Sequence, residues 1–114
     1  MDKKLEDALV FANYRLTLQI QRQNIDARVD TALLASHQNA IFKSSQELIA
    51  FVGLKAIRGE KLLVEDHSGN VIQIDNANDF LSALIQAYDS AMELKQLEQK
   101  KLKSARSTAK IVGL

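Results

Sequence analysis

From Tyr14 to Gln21 apolar and polar residues alternate without exception: Tyr14, Leu16, Leu18 and Ile20 against Arg15, Thr17, Gln19 and Gln21. After "QRQN" the alternation resumes over Ile25 to Asp30, with Ile25, Ala27 and Val29 against Asp26, Arg28 and Asp30. A period of two is the signature of a half-buried strand. Plotted at about 100° per residue, the apolar positions between Leu5 and Val29 spread around nearly the whole circle, so a helix would leave many of them in water. A fully buried helix could hide them all, but a chain this short has too little protein to surround one. The pattern therefore predicts strands on both sides of "QRQN". One continuous helix is the competing reading, because glutamine, arginine and leucine are good helix formers and "QRQN" is a turn without glycine. Asp2 to about Phe11 reads as a short amphipathic helix. A turn at "SHQN" would send "AIFK" back against "ALLA" as a short hairpin.

Downstream the period lengthens. Ser44 stands three residues before Glu47, the spacing of a capping box, and Leu48, Ile49, Val52, Ala56 and Ile57 recur at helical spacing before Gly59. This predicts a central helix over about 45–58 with those five residues facing a core. In "KLLVEDHSGNVIQID", β-rich segments flank Ser68, Gly69 and Asn70, which predicts a hairpin over about 62–74 with Leu62 to Glu65 paired to Val71 to Ile74. "DNAND" then offers side-chain acceptors for a helix start, and the remainder has the composition of a long helix over about 77–107. Its first half carries an apolar stripe of Phe80, Leu81, Leu84, Ile85, Tyr88, Ala91 and Met92. Beyond Leu97 the stripe thins to Leu102 and Ala105. Such a helix is about 45 Å long, against a radius of gyration of about 13 Å for a domain of this size, so its distal half is expected to project or to pack on another chain.

Composition narrows the classes. The 114 residues suit one domain, and 46% hydrophobic with 25% charged residues is an ordinary globular balance. A formal charge of +1 gives no broad field for nucleic acid. The absence of cysteine removes disulfides, thiolate zinc sites and thiol catalysis. "MDKKLEDALVFANYRL" does not resemble a signal peptide, and no run approaches the roughly 18 apolar residues of a membrane span.

Few residues suggest chemistry. "EDHS", Glu65 to Ser68, places an acid, a histidine and a serine side by side, but a triad needs convergence in space and neighbours in a turn point apart. They read as polar turn residues. The two histidines, His37 and His67, both fall in predicted turns and are too few to predict a metal site. The glycines at 53, 59, 69 and 113 form no phosphate-binding loop. Gln19, Gln21 and Gln23 would line one face of a strand. The one charge asymmetry is the basic tract from Lys95 to Lys110, where Lys95, Lys100, Lys101, Lys103, Arg106 and Lys110 face a single acid, Glu98. It could neutralise phosphates or meet an acidic partner. No aromatic residue is interleaved to stack on bases, and cations also suit the negative end of a helix dipole.

Three stretches, "LVFANYRLTLQIQRQN", "AIFKSSQELIAFV" and the final helix closing in "KLKSARS", together resemble a group of small proteins encoded by T4-like tailed phages, including phages of cyanobacteria. The resemblance spans Leu9 to Arg106. Where such proteins carry a glycine-rich turn, this chain has His37, Gln38, Asn39 and Ala40, which leaves the tightness of that turn open. The resemblance implies a phage context and a structural or assembly role.

The expected fold is α+β: short antiparallel strands and hairpins, a central helix, a second hairpin and a long C-terminal helix. A mostly helical chain with one β-hairpin is the alternative. Residues 1–96 are expected to form one domain, and 97–114 a basic extension and tail. The expected function is non-enzymatic, a structural or assembly protein of a tailed phage that associates with itself or with larger virion components through an exposed β-edge and the C-terminal helix. The rival readings are an accessory nucleic-acid-binding protein using the basic tract and a small regulator docking on a host protein. No cofactor, membrane or small-molecule substrate is expected, and the place of action is the host cytoplasm or the virion.

Overall fold

The computed structural model describes residues 2–111, with side chains described as far as Ser104. The order is α1 (Lys3–Ala32), β1 (Leu34–His37), β2 (Ala40–Lys43), α2 (Gln46–Arg58), β3 (Leu63–Glu65), β4 (Val71–Gln73) and α3 (Ala77–Ile111). The fold is α+β, with two separate antiparallel hairpins among three helices. The chain divides into two compact units: Val29–Glu93, which holds both hairpins, and the helical pair Met1–Arg28 with Leu94–Leu114. None of the helices is long and apolar enough to cross a membrane among the described residues.

The strands predicted over 14–21 and 25–30 are not formed; these residues belong to α1, which also absorbs the short helix predicted to end near Phe11. The reason is angular. Two residues of helix advance about 200°, so strict alternation throws successive apolar side chains onto opposite faces. Tyr14 and Leu18, half-buried, align with the buried Ile25 and Val29, while Leu16 and Ile20 align with Leu5 and Leu9, all four exposed. The two sets have the same 4-7-4 spacing, displaced by half a turn. The expectation that a helix would leave apolar residues in water was correct in its physics; α1 forms and leaves them there.

The first hairpin pairs Leu34 with Lys43 and His37 with Ala40. Its two central residues, Gln38 and Asn39, take φ values of 50° and 61°, the left-handed pair of a tight two-residue turn. Glycine is not needed because Gln38 is held from outside: its Nε2 donates to the Gln73 carbonyl at 3.1 Å, and its Oε1 accepts the Asp75 N–H at 2.9 Å. These bonds offset the roughly 1–2 kcal/mol of left-handed backbone in a residue with a Cβ.

The start of α2 is shifted by one residue from the predicted capping box. Ser45 is the N-cap, accepting the Leu48 N–H at 3.1 Å. Ser44 turns into the core, where its hydroxyl donates to the Leu84 carbonyl at 2.6 Å. Gly59 closes the helix at φ 64°, as expected. The second hairpin pairs Val64 with Ile72, matching the predicted registration, and Ile74 N–H adds a bond to the Leu62 carbonyl at 2.9 Å. At the head of α3, Asn76 and Asp79 cap reciprocally: Asn76 Oδ1 accepts the Asp79 N–H and Asn76 Nδ2 donates to the Asp79 carboxylate.

Phe80, Leu84, Val52, Phe42 and Leu62 are the centre of the hairpin unit's core. The Phe42 and Phe80 rings meet edge to face with centroids 4.7 Å apart. Two expected core positions lie outside the core: Ile57 is 86% exposed and Ile85 39%. Leu48 and Ile49 sit one turn N-terminal of Val52 and take the inner face, which carries Ile57 round to the opposite side.

Candidate interaction surfaces

The polar residues that invited a chemical reading are used in holding the hairpins. Asp66 carboxylate accepts the N–H of Ser68 at 3.0 Å and of Asn70 at 2.8 Å, so it caps its own turn. His67 N–H donates to the Ile41 carbonyl at 2.7 Å, tying the second turn to the first hairpin. Of the Glu65-to-Ser68 run, Glu65 thus ends β3 opposite Val71, and the Asp66 carboxylate is engaged by the backbone of the turn that follows. His37 ends β1 rather than lying in a turn. Its ring packs 5.1 Å from that of Phe80, and its Nε2 is buried without a hydrogen-bond partner among the described residues.

The expected β-edge contact finds little room. The strands are three or four residues long, and edge carbonyls of Ile41 and Gln73 are already taken by His67 and Gln38.

At about 100° per residue, Lys100 and Lys103 lie about 60° apart on one side of α3, and Lys101 is turned about 100° away from Lys100. Lys95 is half-buried, and Lys101 lies 3.9 Å from Glu98. Glu98 is itself mostly buried and meets Arg28 at 3.3 Å within the helical pair. Beside this pair, Gln21, Ile25, Lys101 and Leu102 line a shallow groove of about 240 Å³. The predicted strand face of glutamines is not formed: Gln21 enters this groove, while Gln19 and Gln23 stand exposed on α1. The side chains of Arg106 and Lys110 lie outside the described residues.

What the structure brings together instead is apolar. On α2, Phe51, Leu54 and Ile57 recur at three-residue spacing and are exposed, with Ile57 at 86%. Lys55 Nζ stands 5.7 Å from the Phe51 ring centroid. On α1, the Leu5, Leu9, Leu16 and Ile20 stripe is the second such surface. Monomeric proteins scatter exposed apolar side chains singly, whereas aligned sets mark contact surfaces. The α1 stripe was visible in the sequence as the half of the alternation that had no core to enter. The α2 set was hidden because Ile57 was assigned to the core.

No family model, curated protein or solved structure matches this chain.

Proposed function

We propose that this chain is a non-enzymatic structural or assembly protein that works by associating with itself or with larger virion components of a tailed phage. The observation that carries the reading is the α2 surface of Phe51, Leu54 and Ile57. A helix that exposes three large apolar side chains on one side loses solubility and gains nothing within its own unit, and burying each against a partner is worth about 1.5–3 kcal/mol. The phage setting is supported by the resemblance of Leu9 to Arg106 to small T4-like phage proteins. The half-burial of Lys95 and the pairing of Lys101 with Glu98 at 3.9 Å favour protein over nucleic acid as the partner.

The test uses the full chain immobilised and offered purified virion proteins, beside a Phe51→Ser/Ile57→Ser variant. The wild type is expected to retain a stoichiometric partner or to self-associate, and the variant to lose the partner while keeping its helical circular dichroism. A chain that is monomeric and retains no virion protein sinks the reading.

A further inference from the structure

We infer that the exposed stripe of α1 is a two-fold interface on which a second copy of the chain packs antiparallel. The inference rests on the proposed associative function and names its partner for this one surface. Leu5, Leu9, Leu16 and Ile20 are 47–55% exposed and lie on the same side of α1. Their spacing is a palindrome about the Ala12–Asn13 peptide. Turned end for end, the helix sets Leu5 against Ile20 of the second copy and Leu9 against Leu16, with no slip in register. An isologous interface demands this property, since each contact must be repeated with the two copies exchanged.

The flanks make the same choice. Between Ala8 and Asn24 the residues bordering the stripe are Ala12, Asn13, Thr17, Gln19, Gln23 and Asn24, none of them charged. The charges of this segment, Arg15 and Arg22, lie outside these flanks, about 110° and about 130° from the centre of the stripe at about 100° per residue. Antiparallel pairing places Glu6 opposite Gln19 and Asp2 opposite Gln23, both neutral, and sets the helix dipoles head to tail. Parallel pairing in register would bring the two Glu6 side chains together and align like dipole ends. Near the axis the small Ala12 lets the helices approach, and Asn13 supplies a polar group of the kind that fixes register in helix pairs. From Leu5 to Ile20 the stripe is about 22 Å long, a contact at the small end of stable interfaces, so the dimer forms with rising concentration.

The chain has no cysteine, which makes single cysteines clean reporters. Three full-length variants, Ala12→Cys, Leu5→Cys and Ile20→Cys, are oxidised and run without reductant, while light scattering follows the wild type and Leu16→Asp. Expected are a disulfide-linked dimer from Ala12→Cys alone, none from Leu5→Cys alone, and a mixed dimer when Leu5→Cys and Ile20→Cys are combined. The wild type should approach twice its 12.7 kDa mass on concentration. Leu16→Asp should raise the dissociation constant about tenfold or more at unchanged helicity. A dimer from Leu5→Cys alone overturns the antiparallel arrangement, and a wild type monomeric at every concentration overturns the pairing. If that monomer still retains a virion protein through Phe51 and Ile57, the associative function stands without this interface. If it retains none, both fall.

Discussion

The hairpin unit and the helical pair are built from similar residues, and both expose apolar side chains, but only the hairpin unit also encloses a core of large ones. In Val29–Glu93 the largest apolar groups converge: Phe42, Phe80, Leu62 and Leu84 are at most 2% exposed. In the helical pair Ile25 is buried, yet Leu5, Leu9, Val10, Phe11, Leu16, Ile20 and Leu97 are all about half exposed. A unit with hairpins can surround a side chain from several directions. Two helices side by side bury one stripe each and leave any second stripe in water. The lesson is that α1 carries a second apolar stripe that its own unit leaves exposed.

The comparison makes its largest demand at Phe80. Fully buried, it meets Phe42 edge to face and His37 at a tilt, so Phe80→Ala should destabilise the hairpin unit by about 3–5 kcal/mol. Urea denaturation followed by circular dichroism measures this, and a loss under about 1 kcal/mol would mean that the core can close without it. Next comes the continuity of α1. Gln19→Pro removes one backbone donor and clashes with the preceding turn in the middle of Lys3–Ala32, which costs about 3 kcal/mol of helix. Amide exchange should quicken around residues 15–19 while Phe42 and Val52 stay protected. Had residues 14–21 been a strand, the helical signal would not move. A smaller effect is expected at the α2 cap, where Ser45→Ala leaves the Leu48 N–H unsatisfied at a cost of about 1 kcal/mol, read as a lowered midpoint of thermal unfolding. Ser45, and not Ser44, should behave as the cap.

Which features could be read from sequence follows the range of the interaction behind them. The turn at Ser68 to Asn70, the stop at Gly59 and the reciprocal cap of Asn76 with Asp79 are local chemistry, and each was recognisable from a few adjacent residues. The first hairpin was legible as a hairpin, but its strand is Leu34–His37 rather than "ALLA" and its turn is Gln38 and Asn39 rather than all of "SHQN", because the hydrogen bonds that let Gln38 occupy a tight turn reach residues 73 and 75 and could not be foreseen. The choice between Ser44 and Ser45 depended on the Leu84 carbonyl, forty residues away. For α1 the difficulty was of another kind. Alternation describes two sides of a strand and two opposed faces of a helix equally well, and only the fate of the second face separates them. The rule that apolar residues go inside chose strands, and the rule fails for a helix stripe that has no core to enter. The same assumption placed Ile57 in the core and concealed the α2 surface.

The finest test of the contrast between the units is therefore a substitution expected to do almost nothing. Leu16 is 55% exposed on the outer stripe of α1, so Leu16→Ala removes little buried area, and alanine is the better helix former. In dilute solution the change should stay within about 0.5 kcal/mol, the ordinary range for surface positions. Repeating the denaturation at a hundredfold higher protein concentration should open a gap between wild type and variant, because only the wild type then gains stability from mass action. A cost above about 2 kcal/mol already present at high dilution would show that the stripe is covered within a single chain. In that case the second face of α1 would be as well covered as the Phe42 and Phe80 core, and would have no need of a partner.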